Sequence, residues 1–169
     1  MTLSSKLGTS FDQVKDQVKI KSIPMEIGQA KFTLKVRIPL KKEMEEIIDS
    51  ISNPPAERIE AVYNRFSKPI LDTLQDGGDE LQDTVKQVIT VLDNDIIVDG
   101  NSVRNVSRFS AMWEIKVEKF FSLLQSETDT PVNETYQQIV DEFPEQVIRQ
   151  IVEEVEAAVK PDYKTSKKN

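Results

Sequence analysis

Cysteine and histidine are both absent from this chain of 169 residues. Without cysteine there is neither a disulfide framework nor a thiolate metal site. Without histidine the usual near-neutral proton shuttle is missing, and so is the commonest transition-metal ligand. Glycine is scarce, five in all, with Gly77-Gly78 as the only adjacent pair. Cradling a phosphate takes a glycine-rich loop whose N–H groups converge on the anion. The chain has no G-x-x-x-x-G-K-[ST] and no G-x-G-x-x-G. A serine nucleophile would lack its ordinary general base. No run approaches the roughly 18 consecutive apolar residues that span a bilayer. The start, Met1-Thr2-Leu3-Ser4-Ser5-Lys6, lacks the charged-then-apolar pattern of a secretory leader. These absences lead us to expect a soluble cytoplasmic protein that is not an enzyme and has no catalytic, cofactor-binding or metal-binding residues.

Charge and apolar content narrow the classes further. Acidic residues outnumber basic ones by 29 to 22, a net charge of −7. That balance repels nucleic acid at long range and helps keep a protein with exposed apolar surface in solution. With 38% hydrophobic and 30% charged residues, the chain suits a globular domain with a polar surface. We expect a flexible N-terminus over 1–10, one globular domain over 11–160, and a flexible basic tail over 161–169.

Apolar spacing predicts the elements. Val18-Lys19-Ile20 is a strand candidate, although Val14 and Val18 also fit a helix. Lys31 to Ile38 alternates apolar and polar residues without a fault, the period of a half-buried strand. Gly28 lies between the two and suits a hairpin. The polar side carries Lys31, Lys35 and Arg37, either an edge kept soluble by charge or a basic binding surface. Beyond Pro39, the residues Met44, Ile47, Ile48 and Ile51 fall at helical spacing, and Asn53-Pro54-Pro55 stops that helix. A second helix carries Ile59, Val62, Tyr63 and Phe66, with Pro69 expected to break or kink it before Ile70 and Leu74. Asp79 suits an N-cap for a third, with Leu81, Val85, Val88, Ile89 and Leu92 as its stripe. Asp93 to Asn101 reads as a short extended piece closed by the Asp99-Gly100 turn. Ser102 is positioned to cap a long helix reaching about Leu124. Its buried side is Phe109, Trp113, Val117, Phe120, Phe121 and Leu124, placed at the centre of the core. After a polar linker over 126–133, a short helix holds Tyr136, Ile139, Val140 and Phe143, interrupted by Pro144. A last helix follows from Glu145. The fold class is α+β, predominantly α-helical: a small N-terminal β element followed by a bundle of amphipathic helices.

Two features bear on binding. Asp93, Asp95 and Asp99 put three carboxylates in a short stretch, the kind of donor set that calcium takes. Aligning Gly100 with the glycine of a calcium-binding loop leaves Ile97 and Val106 where oxygen ligands are required, so these aspartates read as acceptors for local backbone N–H groups. The last helix presents Ile148, Ile151, Val152, Val155 and Val159 on one face against Glu and Gln on the other. Such a stripe is core or, hinged at Pro144, a partner-binding face that docks on another protein or a second copy.

Laid out in this order, the chain resembles the tail assembly chaperones of long-tailed bacteriophages. The likeness rests on Lys31-Phe32-Thr33-Leu34-Lys35-Val36-Arg37-Ile38-Pro39 leading into an acidic helix and on Asp95-Ile96-Ile97-Val98-Asp99-Gly100 before the long aromatic helix. It also rests on Thr135-Tyr136-Gln137-Gln138-Ile139 before the last helices, and it covers about residues 30–165. The resemblance implies a late protein of the host cytoplasm that binds and solubilises the tape-measure protein during tail morphogenesis and is absent from the mature virion. It also implies, for many members, a longer form made by ribosomal frameshifting that recruits tail tube subunits. Lys167-Lys168-Asn169 can be encoded by a slippery run of A. No catalytic residue is carried over. The alternative is a structural phage tail or head–tail joining protein. A homo-oligomer fits either reading.

Overall fold

The computed structural model describes residues 2–17, 19–77, 79–128 and 130–160. In chain order the helices are α1 (Leu3–Leu7), α2 (Thr9–Gln17), α3 (Lys41–Ser52), α4 (Ala56–Asp76), α5 (Asp79–Lys86), α6 (Val103–Phe121), α7 (Tyr136–Glu142) and α8 (Glu145–Val159). The strands are β1 (Ile20–Ile27), β2 (Ala30–Arg37), β3 (Ile89–Val91), β4 (Ile96–Val98) and β5 (Asn101–Ser102). Helix covers 59% of the chain, and the fold is α+β, predominantly helical. Where the sequence suggested one domain, the residues group into two compact units, Met1–Ile47 with Lys116–Asn169, and Ile48–Ile115. The expected basic tail, 161–169, lies outside the described residues, as does Val18.

The first unit begins with a departure from expectation. The expected flexible terminus over 1–10 is helical at residues 3–7 and from Thr9 into the helix that runs to Gln17, with Thr2 as N-cap accepting from the Ser5 N–H at 3.3 Å. The strand that follows starts at Ile20, so the apolar spacing through Val14 belongs to a helix. β1 and β2 form an antiparallel hairpin in register from Ile20↔Arg37 to Ile27↔Ala30. Gly28 takes φ 62° in its turn, a conformation that costs other residues strain. Because side chains alternate across a strand, Ile23, Met25 and Ile27 share a face with Leu34, Phe32 and Ala30. The opposite face carries Lys31, Lys35 and Arg37, and Arg37 is held by Glu43 through two bonds of 2.9 and 2.6 Å. The ladder runs past the strand ends, with the Ile38 N–H donating to Lys19 C=O at 2.6 Å. On its other edge β2 takes up residues 123–125. The Arg37 N–H donates to Leu123 C=O, and the Gln125 N–H to Lys35 C=O, both at 2.8 Å.

Helix α8 packs along β1, bound at one end by Gln150 to Glu26 C=O (3.1 Å) and at the other by Lys21 to Ala158 C=O (2.8 Å). The final turns of α6 supply Val117, Phe120 and Phe121 to the core, and Met25, Val36, Leu123, Ile139 and one face of α8 are buried in the same unit. Lys116 on α6 pairs with Glu156 on α8 at 2.9 Å. Helix α7 is anchored by a capping box of Thr135 and Gln138, and its Tyr136 N–H donates to Glu118 of α6 at 2.8 Å.

In the second unit, α4 passes through Pro69 as one helix instead of breaking there. Val62, Phe66, Ile70 and Leu74 keep one apolar stripe in phase across the proline, so burial on both sides offsets the lost backbone hydrogen bond. The predicted third helix is cut short at Lys86. Val88, Ile89 and Leu92 leave the helical stripe, and Ile89–Val91 pairs instead with Ile96–Val98. A β-branched run next to a second β-branched run gains more from the ladder than from one more helical turn. The Asp99-Gly100 turn has positive φ at both residues, 48° and 77°, and joins β4 to β5. Ser102 caps α6 as expected, accepting from the Asn105 N–H at 3.0 Å. Two core assignments fail here: Phe109 is 63% exposed, and Trp113 is only half-buried. The buried face of α6 in this unit is Val103, Ser107, Ala111, Glu114 and Ile115. Glu114, 3% exposed, accepts from both Arg58 (3.2 Å) and Arg65 of α4.

Among the described residues no helix is long and apolar enough to cross a membrane.

Candidate partner-binding cleft

An apolar concavity lies wholly within the first unit. The turn half of the hairpin forms one wall, with Ile27, Ala30, Phe32 and Leu34. These residues face inward because the alternation of β1 and β2 places them on the same side as buried Met25 and Val36. Phe121 at the end of α6, with Leu124 and Val132 from the segment that follows, closes one side. Opposite stand Ile139 and Phe143 of α7 and its C-terminus, with Val147 and Ile151 of α8. The enclosed space is about 510 Å³.

Local sequence explains this wall. Thr135 and Gln138 fix where α7 begins, and Pro144 ends it and serves as N-cap of α8. Phe143 sits at that corner, its ring centroid 6.4 Å from that of Phe121 and tilted by 53°. Phe32 and Phe143 are nevertheless exposed, so both rings present apolar surface to whatever enters. Glu134, Gln138 and Glu142 are the polar residues lining the cleft. No lysine or arginine lines it, so its rim is acidic.

The side chains singled out by sequence are distributed differently. Ile148, Ile151, Val152 and Val155 are buried in the unit's own core, Val155 completely, and Val159 is half-buried. The stripe therefore packs on its own unit, and only Ile151 also reaches the cleft. The hydrophobic effect that makes such a stripe a good docking face makes it an equally good core face, and here the hairpin takes it. The cleft beside it is apolar surface that this core does not cover. Sequence reasoning passed over Phe32, Val132 and Phe143 as site residues. The signal available for Phe143 was its place immediately before the Pro144 break.

The aspartates do not converge. Asp95 accepts from the N–H groups of Ile96 (2.8 Å) and Arg104 (2.9 Å) and from the Ser102 hydroxyl, while Asp93 and Asp99 are exposed. Burial alone would raise the Asp95 pKa. The bonds from Ser102, Arg104 and Ile96, with the Arg104 charge, outweigh it and hold the carboxyl below the ordinary aspartate value. Among the described residues no three acidic side chains are grouped to hold a metal ion. The Arg104 guanidinium bridges Glu60 at 2.6 Å and stacks over the Tyr63 ring at 4.1 Å.

Chemically, the cleft offers apolar walls and carboxylates at its edge, and it suits side chains projecting from a neighbouring polypeptide. No family model matches the chain, and neither a curated protein nor a solved structure matches it.

Proposed function

We propose that this chain is a phage tail assembly chaperone, which binds the tape-measure protein in the host cytoplasm and keeps it soluble until the tail tube grows around it. The observation that carries this reading is the open apolar cleft bounded by Phe32 and Phe143. A holdase needs apolar surface that its own core does not consume. The net charge of −7 keeps such a surface in solution. An amphipathic segment of the long helical client would lay its apolar ridge in the cleft, with basic residues toward Glu134 and Glu142. The protein acts by holding its client and performs no reaction on it. A frameshifted longer form would carry the same cleft while recruiting tube subunits.

The test is co-expression of the tape-measure protein with this chain, in wild-type form and as Phe143→Glu. Wild type should move the tape-measure protein into the soluble fraction, and Phe143→Glu, folded by circular dichroism, should not. A tape-measure protein equally insoluble with wild type would refute the reading. Mass spectrometry of purified particles should find no copy of the chain. Its presence at stoichiometric level would make it a structural tail or joining protein instead.

A further inference from the structure

The two edges of the β1–β2 hairpin are finished differently. Along an antiparallel strand, successive residues aim their backbone N–H and C=O at opposite edges. The Ile38 N–H donates to Lys19 C=O, so Lys19 and every second residue after it face β2. The outward set on β1 is therefore Ile20, Ser22, Pro24 and Glu26. Pro24 has no N–H to offer, and the Glu26 C=O is taken by Gln150. That edge is closed to a further strand. On β2 the outward set is Lys31, Thr33, Lys35 and Arg37. Leu123 and Gln125 pair with the last two. Beyond Gln125 the chain turns, with Ser126 Oγ accepting from the Thr128 N–H at 3.0 Å, and the ladder stops. Among the described residues none bonds to the backbone N–H or C=O of Lys31 or Thr33, and both residues are exposed.

We propose that this open half of β2 takes an extended segment of a partner protein, antiparallel to β2, whose alternate residues are apolar and acidic. Continuing the register of 123–125, the newcomer exchanges backbone bonds with Thr33 and Lys31. Its residues between those rungs stand opposite Phe32 and Leu34, the closer, non-hydrogen-bonded positions of an antiparallel pair. Phe32 and Leu34 line the apolar cleft, so these residues are the apolar ones. The others lie on the opposite face, beside Lys31 and Lys35. Among the described residues no ion pair holds either lysine, whereas Arg37 is held by Glu43. Across the hairpin Lys31 faces Glu26 and Lys35 faces Ser22, so Lys35 has the stronger demand for a carboxylate.

The same lysines exclude a second copy. Two β2 edges joined about Thr33 would set Lys31 against Lys35 on both sides, and like charges directly opposite destabilise a strand pair. An acidic segment meets the reverse condition. Only residues 30–34 are open to it, so the contact stays below the roughly 1,200 Å² of a standard interface and the complex is weak and reversible. Neither Thr33 nor Lys35 lines the cleft, and the edge needs no chaperone activity to bind. A helical client would compete with the strand for Phe32; only this consequence rests on the proposed chaperone function.

The probe is an acetylated, amidated peptide of alternating valine and glutamate, titrated into the full-length protein and followed by amide hydrogen exchange. The Lys31 and Thr33 amides should exchange fast in the free protein and at least tenfold more slowly at saturation. In this register the glutamate N–H groups aim at β2 and the valine N–H groups aim away. N-methylating the glutamates should weaken binding at least tenfold, and N-methylating the valines should spare it. Lys35→Glu, with an unchanged melting temperature, should weaken this peptide at least tenfold and favour one of alternating valine and lysine. No saturable binding would overturn the proposal, as would equal loss from both methylations or indifference to Lys35→Glu. Lys31 and Thr33 amides already slow in the free protein would show a closed edge and overturn it too. Solubility of the tape-measure protein is scored separately with Phe143→Glu, and Lys35→Glu should leave it intact.

Discussion

The rings of Phe121 and Phe143 meet at 6.4 Å, one buried at the end of α6 and the other exposed at the corner between α7 and α8. Both rings line the cleft. The buried ring belongs to the core, and the exposed one stays apolar without being covered. Phe143→Ala should accordingly cost only about 1 kcal/mol, because most of what it removes is an aromatic contact and half-covered area. Urea denaturation should show that small shift while capture of an apolar helical peptide falls sharply. A loss of several kcal/mol would mean that Phe143 is core.

Val155 behaves in the opposite way. It is 0% exposed on the face of α8 that packs on the hairpin. Val155→Asp buries a carboxylate without a partner and should cost about 4 kcal/mol or more. Thermal melting should show collapse of the first unit, and any loss of binding would follow from that unfolding.

In the second unit, Arg58→Ala leaves the buried Glu114 carboxylate with Arg65 as its remaining partner. The Arg58 side chain is 31% exposed and that of Arg65 51%, so the better-buried partner should matter more. We expect a loss of about 1–3 kcal/mol for Arg58→Ala and less for Arg65→Ala. Chemical denaturation of both variants should give this order, and the reverse order would show that Arg65 carries the pair.

Asp95 links stability to acidity. Its carboxyl is held below its unfolded value by the Ser102, Arg104 and Ile96 donors, against the opposing push of burial. Between the folded and unfolded values the unfolded chain binds more protons, so stability falls as pH falls through that window. The contribution is complete above about pH 5 and is lost progressively as pH falls from the ordinary aspartate value of about 3.9 through the lower folded value. Asp95→Asn should therefore be less stable than wild type by a constant amount from pH 5 to 7, with the gap closing below about pH 4. A gap that did not narrow at all as pH fell below 4 would show that geometry, and not ionisation, is at work.

Much of the fold was legible because local rules and tertiary packing agreed. The alternation from Lys31 to Ile38, the cap at Ser102, the Asp99-Gly100 turn and the Pro144 break each depend on one or two residues and their neighbours. The failures came where a local pattern had two solutions. Val88 and Ile89 satisfied a helix as well as a strand, and pairing with Ile96–Val98 decided between them. The N-terminal stretch was read by its small polar residues, although Leu3, Leu7, Phe11 and Val14 already had helical spacing. Phe109 looked like core because it is aromatic and in phase with Trp113, yet it faces outward.

By itself the amino-acid sequence determined the inventory: no cysteine, no histidine, no phosphate loop, and apolar stripes on helices with acidic backs. Chemistry that needs those groups is excluded before any folding takes place. Only the tertiary structure decided which apolar face is consumed and which remains. Periodicity fixes that a stripe must be covered and is silent on what covers it, because the hydrophobic effect has no direction. Ile148, Ile151, Val152 and Val155 of α8 went into the core, while the space between Phe32 and Phe143 stayed open.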